Sequence, residues 1–408
     1  MNKIDGGVTT PKGYKAAGAR AGIKPDRITN DMAMLYSEIP AAVAGTFTKN
    51  VVKAAPVVYD MGIVENEKIA QAVVVNTGIA NACTGDEGYK NTEKTAKLAG
   101  EALDIDEDLV LIGSTGVIGY KLPMDKIEEG VKTLAQSLSD SREAGEIAAN
   151  AILTTDTHKK ETAYEFSVGG KTCYMGGMCK GSGMIHPNMG TMLGYITTDC
   201  AIGQSLLQKA LRIAIEDSFN MISVDGDTST NDTVLAFANG MAENALITEE
   251  NEDYNVFLEV LKAVCLDLAK EIAADGEGAT RLFTVIVNGA DTDENARTLA
   301  KSVVTSNLVK CAIYGQDANV GRVLCAMGYS GVEFDPCDVD ITVESANGSV
   351  KLAENGMYTD FDEEEATNIL APDQITCIID VKAGDASATA YGCDFTYDYV
   401  KINADYRS

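Results

Sequence analysis

The chain has 408 residues, 45% of them hydrophobic, with 38 glycines and 8 prolines, a globular composition with room for about two or three domains. Sixty-one Asp and Glu against 33 Lys and Arg leave a net charge of −28, which argues against nucleic acid and anionic membranes as partners. No apolar run approaches the roughly 20 residues of a membrane span, and "MNKIDGGVTTPKGYKAAG" carries no apolar leader.

Helical and strand-like segments alternate along the chain. "KIAQAVVVNTG" (68–78) reads as a helix end or short strand entering a turn, and residues 88–103 read as a helix. "DLVLIGSTGVIG" (108–119) is a buried strand that breaks into a glycine turn. Helical spacing follows in "PMDKIEEGVKTLAQSL", opened by Pro123, and in "SREAGEIAANAIL". The strongest amphipathic helices are "SLLQKALRIAIEDSFNMI" and "VFLEVLKAVCLDLAKEIAA", the second stopped at Gly276. "RLFTVIVNGA" is a strand and "ENARTLAKSVVTS" a helix. "VDITVESANGSVKLAENG" reads as a hairpin with an Asn-Gly turn. The last residues, "YDYVKINADYRS", alternate aromatic, apolar and polar side chains and read as a strand. The mixture predicts layered α/β or α+β architecture, sheets packed with helices.

Several chemistries drop out. The ten cysteines include no CxxC pair, and runs such as "KAVCLDLA" and "VLCAMG" treat cysteine as a small hydrophobe. A reduced cytoplasm fits this usage. With two histidines, His158 and His186, and no GxSxG elbow, a Ser-His-Asp system lacks its usual frame. HExxH and GxGxxG are absent, and "GGKT" at Gly169 lacks the earlier glycine of a P-loop, Glu165 standing there. "VDGDTSTNDT" places Asp225, Asp227 and Asp232 close together but lacks the spacing of a calcium loop, and reads as a hydrogen-bonded loop. No metal is expected.

Hydroxyl chemistry remains. A threonine whose own α-amino group is the base must be a chain terminus. An internal threonine reaches that state by attacking the preceding carbonyl, forming an ester and losing the upstream chain to water. A small preceding residue leaves the carbonyl open and lets the turn be strained. Gly190-Thr191 meets that requirement, and an α-amine, with an ordinary pKa of about 8, is partly neutral near pH 7. On the pair alone, a turn before a strand is the ordinary reading.

The context resembles the ornithine acetyltransferase (glutamate N-acetyltransferase) family over nearly the whole chain. The matching stretches are "GGVTTPKGYKAAG", "VVNTGIANACTG", "STGVIGYKLP", "TTDT", "KGSGMIHPNMGTMLGYITTD", "SVDGDTSTNDTVLAFANG", "DGEGATRLFTV", "GRVLCAMGYSG" and "YDYVKINADYRS". The resemblance implies an N-terminal-nucleophile fold and self-cleavage between Gly190 and Thr191, into chains 1–190 and 191–408. Gly190 stands where the family usually has alanine. Thr191 is then the nucleophile that carries acetyl from N2-acetylornithine to glutamate. Thr115 and Gly116 are implied as the oxyanion hole. Thr154, Lys180, Thr191, Glu277, Asn403 and Ser408 are implied as substrate-binding residues, with Lys180 facing a carboxylate and Glu277 a cationic amine. The resemblance further implies a cytoplasmic enzyme of arginine synthesis whose cleaved chains stay together as an α2β2 heterotetramer. It implies no cofactor, acetyl-CoA entering only as a second acetyl donor in bifunctional members. Two other readings stay open: an N-terminal-nucleophile amidohydrolase or aminopeptidase, and an uncleaved homologue that only binds amino acids.

Overall fold

The computed structural model describes residues 1–24, 28–66, 68–186 and 192–405. The chain divides into two compact units. The first comprises Met1–Gly181, Pro187–Asn220 and Thr228–Ala269; the second comprises Ser182–His186, Met221–Asp227 and Lys270–Ser408. Each unit thus draws residues from both sides of position 190.

Among the described residues the first unit holds a nine-stranded mixed sheet. Its order is Asn2–Ile4, Lys160–Val168, Lys171–Lys180, Leu193–Thr198, Thr233–Ala238, Met32–Phe47, Ile69–Asn76 and Val110–Ser114, with Tyr14–Ala19 also paired to Met32–Phe47. All six residues of Leu193–Thr198 and of Thr233–Ala238 are buried, and the two strands run parallel. Strands covered on both faces need no polar alternation, which is why they read as continuous apolar and threonine runs. Helices Ala55–Asn66, Gly85–Leu103, Met124–Ser137 and Arg142–Ala151 pack on strands of this sheet. The "GGKT" stretch lies at a hairpin: Val168 pairs with Lys171, and Gly169 and Gly170 both take positive φ (54° and 77°), the geometry that two-residue hairpin loops favour.

The second unit holds a seven-stranded sheet among the described residues. Gln374–Asp380 lies at its centre; beside it Leu282–Ala290 runs parallel to Gln374–Asp380 and antiparallel to Ala386–Cys393. Phe283, Val285 and Val287 alternate toward the core, where they cluster with Ala296, Leu299, Ala300 and Val303 of the helix Asp293–Thr305. That alternation is the period-2 signature of a strand covered on one face.

Three details differ from expectation. The hairpin Asp340–Ser345/Gly348–Glu354 forms, but its loop is Ala346-Asn347, and Gly348 pairs with Ser345 at the start of the return strand. Cys325 is exposed on the helix Val320–Gly328, because that helix turns its other side inward. The tail is a helix, Tyr397–Ala404, and not a strand. Its aromatic residues Tyr397 and Tyr399 suggested strand alternation, but a local hydrogen bond from Asn403 Nδ2 to the Tyr399 carbonyl, 3.0 Å, belongs to helical spacing.

Candidate active site

The first group of site residues lies on the turn after Val110–Ser114. Thr115 N donates to the Asn76 carbonyl at 3.0 Å, Val117 N to the Gly78 carbonyl at 3.0 Å, and Ala80 N to the Val117 carbonyl at 3.0 Å. These bonds knit "STGVIG" to "NTGIA", with Ile79 bridged to both Thr115 and Val117. Gly116 takes φ +130°, and a Cβ there would overlap the Gly78 carbonyl. Only glycine fits so close a backbone approach. Two asparagines that sequence reasoning did not single out fasten the turn. Asn76 accepts from Ser114 Oγ at 2.6 Å and donates to the Ile79 carbonyl at 2.9 Å. Asn231 donates to the Ala80 and Ser114 carbonyls at 2.6 and 2.8 Å. All of these bonds leave the Thr115 hydroxyl and the Gly116 N–H without an acceptor among the described residues. Both residues are partly exposed. Two unclaimed donors on a rigid turn are what a developing oxyanion requires.

The second group joins Thr154 to Lys180. Both lie beside Asp156, which accepts from Thr154 N at 3.0 Å, Gly181 N at 2.7 Å and Lys160 Nζ at 2.8 Å. The Asp156 and Lys160 side chains are fully buried, and Lys180 is 7% exposed. Burial opposes ionisation of Asp156, but the charges of Lys180 and Lys160 outweigh it and hold the carboxyl below the ordinary carboxylate range. Sequence reasoning missed Asp156 and Lys160. They sit in "TTDTHKK", where an Asp and a Lys four residues apart look like an ordinary surface pair.

The third group belongs to the second unit. Glu277 is 6% exposed, and its N–H donates to the Ser182 carbonyl at 3.0 Å. Its carboxylate lies over Gly183, where any Cβ would overlap it. Asn403 on the tail helix donates from Nδ2 to Glu277 Oε2 at 2.7 Å, so two predicted substrate residues meet directly. Asp225 organises the neighbouring segment, accepting from Met184 N at 2.6 Å, Ile185 N at 2.9 Å and Tyr399 Oη at 3.2 Å. This agrees with the reading of "VDGDTSTNDT" as a hydrogen-bonded loop, and no group of three or more potential metal ligands occurs among the described residues. His186 contacts Ser223 Oγ through Nδ1 at 3.2 Å. Burial, then the Lys301 charge, lower its pKa to about 4, which keeps it neutral at pH 7. Gly190, Thr191 and Ser408 lie outside the described residues.

These groups sit within a chain whose residues 15–408 match the model of the ArgJ family. The chain belongs to the ArgJ family. It is 50% identical over 408 residues to the arginine biosynthesis bifunctional protein of Caldanaerobacter subterraneus, covering all of both chains. It is 51% identical over 409 residues to that of Symbiobacterium thermophilum, again covering both completely. Among solved structures, an arginine biosynthesis bifunctional protein from Bacillus halodurans is 47% identical with a TM-score of 0.50. That match covers 52% of this chain and 99% of the Bacillus one. As an ArgJ member, the chain is an acyltransferase of arginine biosynthesis. Among its described residues no helix is long and apolar enough to cross a membrane.

Proposed function

We propose that this ArgJ protein cleaves itself between Gly190 and Thr191 and then transfers acetyl from N2-acetylornithine to glutamate through an acetyl-Thr191 ester. In self-cleavage the Thr191 hydroxyl attacks the Gly190 carbonyl carbon, the amide nitrogen leaves as the Thr191 α-amine, and water hydrolyses the ester. The freed amine then takes the hydroxyl proton as Thr191 attacks the acetyl carbonyl and returns it to the departing ornithine nitrogen. Glutamate's α-amine finally attacks the ester and restores the hydroxyl. Thr115 and Gly116 receive the oxyanion at each attack. Lys180 and Thr154 take a carboxylate and a neighbouring polar group; Glu277, oriented by Asn403, takes a cationic amine; Ser408 contributes from the tail. No cofactor enters this cycle, and acetyl-CoA serves as a second donor in the bifunctional mode. The cleaved chains remain together in the cytoplasm as an α2β2 heterotetramer.

The Thr115–Gly116 turn carries this reading, because its two unclaimed donors suit acyl chemistry and no other step named above. The Bacillus halodurans match adds support: residues 191–408 number 218 of 408, about 53% of the chain, close to the 52% covered by that solved chain. Intact-mass measurement of wild type and Thr191→Ala tests the first step. Wild type should give pieces of 190 and 218 residues and the variant one uncut chain. A wild-type protein with its Gly190–Thr191 bond unbroken overturns the proposal. Release of free acetate in place of acetylglutamate would identify a hydrolase instead.

A further inference from the structure

In the second unit the tail helix Tyr397–Ala404 is held from outside itself. It has eight residues and none of them is buried, so neither its length nor a dry apolar face keeps it in place. Its first turn meets the loop that carries Glu277. Thr396 stands at the N-cap, where a threonine ordinarily accepts from an N–H of the first turn. Thr396 makes no such cap bond. Its hydroxyl instead donates to the Gly278 carbonyl at 2.7 Å, and the residue is buried. We infer that Thr396 is a positioning residue for amine binding: it fastens the tail helix to the Glu277 loop and so brings Asn403 onto the Glu277 carboxylate. This inference rests on the reading of Glu277 as the group that meets a cationic amine.

Both sides of this junction are built for close approach. Gly278 takes φ +70°, and a Cβ there would lie 2.7 Å from the Tyr399 nitrogen and 2.9 Å from the Asp398 carbonyl carbon. The loop backbone therefore touches the first helical turn, which glycine alone allows. The stretch leading into the helix is anchored separately. Asp394, its side chain fully buried, accepts from Thr280 N at 2.8 Å and Arg281 N at 3.1 Å, and Phe395 N donates to the Lys310 carbonyl at 3.2 Å. Asp394 thus holds the far end of the loop and Thr396 its middle, while Glu277 N is held by the Ser182 carbonyl. The Phe395 and Tyr399 rings pack with centroids 4.7 Å apart, and Tyr397 stands edge-on to Tyr314. Asn403, one turn beyond Tyr399, then donates to Glu277 Oε2 at 2.7 Å. Glu277 Oε1 accepts no hydrogen bond among the described residues. One oxygen is fixed and the other stays open, so the carboxylate is oriented before an amine arrives. If the helix drifts, the charge remains and the orientation is lost.

Calorimetric titration of the purified whole enzyme with ornithine and with N-acetylglutamate tests this, because only ornithine carries a side-chain amine. Thr396→Val keeps the shape and removes the donor. Its Kd for ornithine should rise about tenfold, while that for N-acetylglutamate stays within about twofold. Thr396→Ser should bind ornithine like wild type. Thr396→Val added to Asn403→Ala should weaken ornithine by less than about twofold more, because the amide that Thr396 positions is already gone. The inference is overturned by a Thr396→Val enzyme that binds ornithine like wild type, by one that loses both ligands alike, by a Thr396→Ser enzyme that does not recover, or by two losses that simply add. If Thr396→Val does not fold, Gly278→Ala, which presses on the same helical turn, must show the ornithine-selective loss, and its absence overturns the inference. Glu277→Gln separates the two readings. Unchanged ornithine binding in that variant overturns the assignment of Glu277 and this inference with it, whereas a selective loss there without one in Thr396→Val overturns the role of Thr396 alone.

Discussion

The Thr115–Gly116 turn and the Glu277–Asn403 pair are built from different materials. The turn offers a backbone N–H and a short hydroxyl, held by five hydrogen bonds to and from Asn76, Gly78, Ala80 and Asn231. The pair offers a carboxylate steered by one amide from an eight-residue terminal helix. A group that must meet a developing charge gains from a position that cannot relax, since preorganised donors need no reorganisation at the moment of reaction. A group that binds exchanging substrates tolerates side-chain adjustment. The difference predicts all-or-none behaviour at the turn and graded behaviour at the pair.

The sharpest test is Gly116→Ala. The new methyl group would overlap the Gly78 carbonyl in a backbone conformation that favours glycine. Acyl transfer should fall more than about 1000-fold, with more than about 2 kcal/mol of lost stability. Single-turnover kinetics and a denaturant melt check both, and transfer within tenfold of wild type would remove the turn from the mechanism. Thr115→Ala is milder, because the backbone hydrogen bonds survive. Acetyl transfer should slow roughly 10- to 1000-fold, the range for one lost oxyanion donor, with ligand Kd nearly unchanged. Formation of the acetyl-enzyme at the wild-type rate would make Thr115 a packing residue.

The pair should respond less. Deleting residues 403–408 removes the amide that steers Glu277. Transfer to glutamate should fall at least about tenfold, about 1.4 kcal/mol of barrier, while cleavage after Gly190 survives and gives pieces of 190 and 212 residues (402 − 190 = 212). A gel and a single-turnover assay on one sample separate the outcomes: unchanged transfer makes the tail a bystander, and failed cleavage makes it a folding element.

The smallest effect is pH-dependent. His186 titrates near 4 in the folded chain against an ordinary 6.5, so below pH 6.5 the unfolded chain takes the proton first. Stability from this residue therefore falls as pH drops from 6.5 toward 4. His186→Gln should flatten that part of the melting profile by about 2–4 °C, reduced by the ring's partial exposure. An identical acid profile in the variant would show that other groups set it.

Much of the local structure was legible in the residues. The helices at 85–103, 124–137, 142–151 and 293–305 follow apolar spacing, and Leu282–Ala290 follows period-2 alternation, because those patterns reflect one covered face of a regular element. The tail reads as a strand in sequence because eight residues with four aromatic or β-branched side chains, Tyr397, Tyr399, Val400 and Ile402, fit either period. Thr115, Gly116, Thr154, Lys180, Glu277 and Asn403 entered as candidates through family resemblance, and their roles do not follow from spacing.

Sequence alone determined the mixed α/β class, the scarcity of histidine and the small residue that precedes Thr191. Tertiary structure decided which polar residues share a buried volume. Asp156 looks like a surface acid until Thr154, Lys160, Lys180 and Gly181 converge on it, and Asn231 looks like loop punctuation until its amide reaches Ala80 and Ser114, 151 and 117 residues away. Periodicity records which side of an element is dry. It carries no record of which distant groups meet there, and in a low-dielectric interior those meetings set charge and hydrogen bonding.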